Sequence, residues 1–308
     1  MCFHFLTKSF LTVSIMGLPL AAIQAGELME APSPEADAMK PIVSKDGPRM
    51  LSFYYDYFSE VDFDDESGSY QMHAARLQTP VVGGGGERFS WGVDAFFEYI
   101  NFDVKDQPLL EDQDLYRTGL DLNFIWHKVN GSKWSPVIRL SPSLASDFES
   151  VTNDDFRMTA FVGSFYRQRP NLKWLFGLYY TDNLNDELLL PGFGVSWQPT
   201  EKMDVTLLGP RIDVSYRPQE DWRLGLFASA HSRSWNIEGD TGSESFEVNS
   251  MRTGVRVDYQ MKEGLWLVME TGATMLNAVE LLDNDEHEVF DDDAETGFFG
   301  KIGMRYRF

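Results

Sequence analysis

From Arg49 onward, large apolar and polar residues alternate in short runs separated by turn signals. In 251–261, Met251, Thr253, Val255, Val257, Tyr259 and Met261 share one register, and Arg252, Gly254, Arg256, Asp258 and Gln260 share the other. Tyr116, Leu120, Leu122, Phe124 and Trp126 likewise oppose Arg117, Asp121, Asn123 and His127. A strand turns successive side chains to opposite faces, so each run has one greasy and one charged face. Helical spacing fits none of them. Fourteen runs can be counted, near 49–58, 68–78, 88–102, 115–128, 133–147, 155–168, 172–182, 188–198, 203–208, 211–217, 222–236, 246–261, 264–279 and 296–308. Twelve is the alternative, because 203–208 and 211–217 are short enough to form one irregular hairpin.

The links between runs also alternate. After even-numbered runs they are tight, as at Val129–Ser132, Arg169–Asn171, Pro199–Lys202, Pro218–Asp221 and Lys262–Glu263, with the longer glycine run Gly83–Gly86 as the exception. After most odd-numbered runs they are long and acidic. The six stretches 58–68, 103–114, 147–155, 182–187, 238–247 and 282–295 hold 29 of the 48 carboxylates. Short turns on one rim and long loops on the other are the asymmetry of a membrane β-barrel. In lipid, strands satisfy every backbone N–H and C=O only when the sheet closes. The expected fold is therefore all-β: a transmembrane antiparallel up-and-down β-barrel of about fourteen strands spanning 49–308.

Residues 1–25 read as a secretory signal, with Lys8 the only charge, an apolar stretch from Phe10 to Leu20 and Ala25 at the cleavage position. Residues 26–48 are rich in Pro, Glu and Ala without periodicity and read as a flexible periplasmic segment. Loss of the signal removes Cys2, so the mature chain has no disulfide framework and no thiolate metal site. The 23 Phe, 12 Tyr and 8 Trp suit aromatic girdles at two membrane interfaces. A net charge of −22 makes the chain a poor nucleic-acid binder, since phosphate contacts need clustered cations.

The last run, G-F-F-G-K-I-G-M-R-Y-R-F, alternates and ends on Phe308. It resembles the closing strand of bacterial outer-membrane barrels, which implies that Phe308 is read by the barrel assembly machinery. The stretch Leu188–Trp235 carries a strand ending S-W-Q-P, the hairpin G-P-R-I-D-V-S-Y-R-P and the strand opening D-W-R-L. It resembles a family of uncharacterised bacterial outer-membrane barrels classed as a domain of unknown function. The resemblance implies a barrel and an outer-membrane location and brings no catalytic motif.

With the apolar faces toward lipid, Arg117, Arg139, Arg157, Arg167, Arg211, Arg217, Arg223, Arg233, Arg252, Arg256, Arg305 and Arg307 point inward, together with Asp94, Glu98, Asp121, Asp213, Asp258 and Glu270. Arg is suited to bidentate pairing with carboxylates, so the set reads first as a salt-bridged lumen that braces a narrow barrel. It reads second as a pore lining with weak anion preference. The acidic loop Leu282–Glu295 offers Asp283, Asp285, Glu286, Asp291, Asp292 and Asp293 to divalent cations, without the spacing of a dedicated calcium loop. Loose collection of cations near lipopolysaccharide phosphates is its expected role.

His231, Ser229 and Ser232 share a strand, and His73 and His127 read as inward. No G-x-S-x-G is present, and Gly83–Gly86 lacks the G-K-[ST] of a phosphate loop. Trp126, Trp174, Tyr180, Trp197, Trp222 and Tyr306 read as outward interfacial anchors. The sequence thus points to a non-enzymatic outer-membrane barrel without cofactor, acting as a narrow passive channel or a structural membrane protein. The partners expected are outer-membrane lipid, lipopolysaccharide and the assembly machinery. Surface binding or adhesion through the acidic loops is the alternative, and a lipid-modifying enzyme is a remote third.

Overall fold

Strands dominate the computed structural model of the protein, which describes residues 50–127, 132–182, 187–239, 242–283 and 287–308. The signal and the 26–48 segment lie outside the described residues. The strands are β1 (Met50–Asp62), β2 (Ser69–Gly85), β3 (Phe89–Lys105), β4 (Gln113–Trp126), β5 (Trp134–Ser146), β6 (Phe156–Arg169), β7 (Leu172–Asp182) and β8 (Glu187–Thr200). They continue as β9 (Met203–Leu208), β10 (Arg211–Gln219), β11 (Trp222–Gly239), β12 (Gly242–Lys262), β13 (Leu265–Leu282), β14 (Glu288–Ala294) and β15 (Gly297–Arg307). Consecutive strands pair antiparallel through β13, and β15 pairs with β1 from Met50↔Arg307 to Phe58↔Phe299. The tube is closed.

β14 and β15 are two segments of one stave. β15 pairs with Leu265–Thr274 of β13 and β14 with Asn277–Leu282. On its other side β14 reaches β1 and the residues beyond it through the Phe63↔Ala294 bridge and the bond from Glu295 N–H to the Asp62 carbonyl. The barrel therefore has fourteen staves, and β9 and β10 are separate strands, which removes the twelve-strand alternative. The acidic 282–295 stretch, expected to be a loop, is half strand. Phe290, Asp292 and Ala294 are buried and alternate with exposed Val289, Asp291 and Asp293, a rhythm hidden by the run of carboxylates.

The outer face is a membrane surface. Phe53, Leu120, Val162, Leu178, Leu226, Val255 and Ile302 are all exposed there. Phe89 packs on Trp126 near the rim that carries Met50 and Phe308, and Tyr99 packs on Tyr116 toward the other. Ten residues of β4 separate these aromatic pairs. At ~3.3 Å per residue and a ~40° tilt, that is a belt of about 25 Å, the height of a bilayer-facing band. Trp126, Trp174, Trp197, Trp222 and Tyr306 mark its terminal edge and Tyr180 the opposite edge, all in the outward register expected of them.

Toward the loop rim the staves are unequal. β10 ends its pairing with β11 at Ile212↔Ala228, and β11 runs on to Gly239. Its tip crosses to β5 and pairs parallel at Asn236↔Ser146. Above β10, then, a second and smaller ring closes: β11, β12, β13, β14, β1, β2, β3, β4 and β5. About eight strands enclose just enough room for side chains to fill. The nine-stave ring is filled, by Phe58, Tyr70, Phe102, Trp235, Phe246, Phe290 and their neighbours. This apolar cap contradicts the reading of the lumen as ionic throughout. Its residues were hidden by phase changes, because the register shifts between Phe58 and Val61 on β1, and on β13 Leu276 takes φ +51°.

Candidate functional site

Below the cap, fourteen staves enclose a wider space, and there the inward arginines and acids meet. Cross-strand pairing decides which. Gly225, opposite Arg256, leaves space for its guanidinium, whose contact with a Cβ at that position would be 3.2 Å. Arg256 therefore reaches past β11 to Asp213 on β10 and grips it at both oxygens, 2.6 and 3.0 Å. Arg305 bonds Asp258 at 2.9 Å, and Arg256 Nε lies 3.7 Å from the same carboxylate. Arg211 sits 3.8 Å from Asp213, so two acids and three arginines form one chain along β10, β12 and β15.

Other pairs stand elsewhere around the wall. Arg139 lies 3.3 Å from Asp121, which also accepts from Ser141 at 2.6 Å and Gln78 at 3.2 Å. Arg233 of β11 meets Glu98 of β3 at 2.9 Å across the interior, directly under the cap. Lys301 lies 4.0 Å from Asp56 and 3.9 Å from Glu270. Aromatic faces take part as well. Arg252 sits 4.3 Å from the Phe58 ring centre and 5.9 Å from that of Phe299, Arg76 is 5.0 Å from Phe96, and Arg223 is 6.0 Å from Trp266.

Three of the expected lumen arginines do other work. Arg157 lies at the loop end of β6 and donates to the carbonyls of Asp154 and Phe156, which fixes the short helical turn before that strand. Arg117 donates to Ser143 Oγ at 3.3 Å. Arg307 is exposed at the terminal rim. Sequence reasoning missed Arg76, which the pairing Arg76↔Glu98 places on an inward register, and Lys301 of the cationic face of the last strand lies inward opposite Glu270.

The groups considered for catalysis disperse. Ser229 Oγ and His231 Nε2 are 2.8 Å apart in the buried lumen wall. His127 meets Ser90 near the terminal rim. His73, expected inward, points outward, where it bonds the Tyr55 hydroxyl at 2.7 Å. It stands opposite Tyr57 and Asn101, above the apolar belt, so its register follows the outer face.

The cation candidates also separate. Asp285 and Glu286 lie outside the described residues. Asp292 is buried and accepts from the backbone N–H groups of Asp65 and Glu66, while Asp283 accepts from His287 N–H. Among the described residues no group of three or more His, Cys, Asp or Glu is arranged to hold a metal. Partial desolvation and the neighbouring Glu288, Asp293 and Asp292 raise Asp291 above the ordinary carboxylate value, and partial desolvation with Asp64, Asp292 and Asp65 does the same to Asp293, although both side chains stay exposed.

The stretch of wall at β6–β8 carries a small apolar cluster, Phe161, Leu175 and Tyr179. Gly163, Gly177 and Gly192 stand abreast on β6, β7 and β8, and the Phe161 ring lies flat across them. A Cβ on any of the three would come within 2.5–2.7 Å of that ring. The glycines thus let Phe161 fold onto the wall instead of into the lumen.

A model of a family described as a domain of unknown function, DUF6268, matches residues 85–307. No curated protein matches the sequence. Solved structures similar to it include the COG4313 outer membrane channel from Pseudomonas putida F1, at 9% identity and TM-score 0.47, covering 84% of this chain and 95% of that one. The KdgM porin in complex with disordered oligogalacturonate has 10% identity and TM-score 0.38, covering 83% and 99%. The translocator domain of autotransporter NalP from Neisseria meningitidis has 9% identity and TM-score 0.38, covering 88% and 93%. Nothing those proteins bind or carry is transferred from likenesses of this depth.

Proposed function

The chain belongs to the DUF6268 family, and we propose that it is a non-enzymatic outer-membrane barrel that works as a narrow passive channel, with its loop-side mouth shut in this state. One observation carries this reading: an ionic chamber wide enough for fourteen staves ends under a cap closed at a one-pair seam. Side-chain exposure runs from 0% at Arg256 to 29% at Arg217 near the terminal rim, which favours access from that side. The hydrogen bonding of the seam is light, and the buried Trp235 and Ile237 of the same β11 tip add apolar packing to it. Beyond the Asn236↔Ser146 pair, Asn236 Nδ2 donates to Asp155 at 2.6 Å and Glu238 N–H to Asp147 at 2.8 Å. Each such bond to a carboxylate contributes about 1.5–3 kcal/mol.

Planar-bilayer conductance tests the reading. The wild-type barrel is expected to conduct little, and the double variant Asn236→Ala/Asp155→Ala, with the seam cut, is expected to conduct frequently. If neither conducts while both remain folded, the protein is a structural barrel. The exposed carboxylates Asp64, Asp65, Asp291 and Asp293, close together on the cap, favour a second, additional role. Neighbouring like charges of this kind gain from divalent cations, which would let the cap sit among lipopolysaccharide phosphates. Calcium titration by calorimetry, with Asp291→Asn/Asp293→Asn as the comparison, tests that role separately.

A further inference from the structure

On the outer face of β1–β4, two cross-strand rows mark the boundary where the apolar belt ends. The first reads Tyr55, Ala75, Tyr99, Tyr116, and the second, one step nearer the loops, Tyr57, His73, Asn101, Asp114. On the membrane side of both, Phe53, Leu77 and Phe97 are exposed and apolar. Whatever covers the two rows therefore sits at the level of the outer leaflet's head groups.

The polar tips of these rows are held in place. Tyr99 donates its hydroxyl to Asp114 at 2.7 Å, and Asn101 Nδ2 donates to the same oxygen at 3.2 Å. The Tyr55 hydroxyl bonds His73 Nδ1 at 2.7 Å, and the His73 ring packs on Tyr57 with centres 5.3 Å apart. Between Tyr55 and Tyr99 the row offers only the methyl group of Ala75, itself partly exposed. Two strand spacings are about 10 Å, so the two rings border a shallow trough wide enough for one sugar ring. At its far side Tyr99 meets Tyr116, and Phe148 of the β5–β6 link stacks on Tyr116 with centres 5.6 Å apart. Phe148 holds that place at φ +62°, a conformation rare for a bulky residue.

Anchoring alone does not account for this arrangement. Interfacial anchors form a belt around the whole barrel. Of the outward tyrosines in the loop-side half of the belt, Tyr55, Tyr57, Tyr99 and Tyr116 gather here, and Tyr180 stands apart on β7. Anchors also need no fixed bonds between their tips. A sugar ring presents an apolar C–H face and an edge of hydroxyls. The first packs on the electron-rich face of an aromatic ring, and the second pairs with carboxylate, amide and phenol groups. Neither row contains Lys or Arg, so the chemistry suits hydroxyls and not phosphate.

We infer that the trough over Ala75 binds a sugar unit of outer-leaflet lipopolysaccharide, with the ring between Tyr55 and Tyr99 and its hydroxyls toward Asp114, Asn101 and Tyr57. The trough lies outside the barrel, so its occupancy and conduction through the lumen are independent.

The test uses the carbohydrate backbone of rough lipopolysaccharide, deacylated and dephosphorylated, titrated by calorimetry into the purified full-length barrel in detergent. Inorganic phosphate is the comparison. The oligosaccharide is expected to bind and phosphate to give no heat. Tyr55→Leu/Tyr99→Leu keeps the face apolar and should weaken binding at least about tenfold through the loss of two ring faces. Asp114→Asn should weaken it about tenfold, as for a hydrogen bond to a charged group. Ala75→Leu, which fills the trough, should abolish binding. Tyr180→Leu should leave it unchanged. Heat-modifiable gel migration shows which variants are folded. No oligosaccharide binding by folded wild type overturns the inference, and so does phosphate binding in its place. Unchanged affinity in folded Ala75→Leu overturns it too. Equal loss in Tyr180→Leu and in Tyr55→Leu/Tyr99→Leu would reduce the rows to membrane anchors and overturn it as well.

Discussion

Phe102 and Arg256 both point into the interior of one barrel, and both are sealed from solvent, at 0% and 1% exposure. Phe102 belongs to the nine-stave ring and touches Tyr70 and Phe246, with ring centres 4.9 and 5.0 Å away. Arg256 belongs to the fourteen-stave ring and touches Asp213 and Asp258. The difference follows from circumference. A small ring brings opposite walls close enough for aromatic side chains to exclude water, and the hydrophobic effect then favours apolar filling. A larger ring is not filled by apolar side chains from its walls, so its inner face carries polar groups that must be paired. The same strands serve both regimes because dropping β6–β10 from the upper ring shortens its perimeter.

The comparison is broken most severely in the cap. Trp235 is 0% exposed and packs near Phe246. Trp235→Ala should cost ~3–5 kcal/mol, the usual penalty for emptying an aromatic site in a close-packed core. Urea unfolding in detergent micelles, with tryptophan emission and gel migration as two probes, reads it. If the cap is a unit of its own, the first probe shifts and the second, which reports the closed lower barrel, does not.

The chamber should respond through charge instead. Asp213→Ala leaves Arg256 buried without its bidentate partner and should cost about 3 kcal/mol. Asp213→Ala/Arg256→Met removes both charges and should recover most of that loss, which no cavity mechanism would do. A double-mutant cycle from unfolding midpoints gives the coupling directly.

The smallest effect is one of pH. Asp291 and Asp293 have folded values above the ordinary 3.8, so the folded cap holds protons more tightly than the unfolded chain does. Their penalty is full at neutral pH and shrinks as pH falls through the raised values. Cap stability should therefore rise on mild acidification, and Asp291→Asn/Asp293→Asn should remove that rise. Further acidification reverses the trend at Glu60, whose value Lys105 lowers, and that contribution is lost as pH falls through it.

The lower barrel was legible in the sequence because its strands obey one rule throughout. Met251 to Met261 and Gly297 to Phe308 alternate without interruption, and their partners fall in the expected registers. The Arg256–Asp213 and Arg305–Asp258 contacts join residues assigned inward from alternation alone. The cap was not legible. Ala95-Phe96-Phe97-Glu98-Tyr99-Ile100-Asn101-Phe102 has large apolar residues on both faces, because its outer face passes through the membrane boundary while its inner face enters a dry core. Alternation cannot reveal a strand that is greasy on both sides. Nor does any local pattern announce that Asn236 will meet Ser146, ninety residues earlier, since parallel contacts leave no hairpin signal. The Ser232, Ser234 and Asn236 series, polar in the register where Leu224 and Leu226 face lipid, was the one available hint that β11 leaves the membrane wall.

β1 and β15 join along nine residue pairs, from Met50↔Arg307 to Phe58↔Phe299, whereas β11 and β5 meet at one. The tube and its stopper are thus fastened at different places by different strands. Because the seal against lipid and the closure of the outer end are separate seams, loss of the second would leave no open edge facing the bilayer.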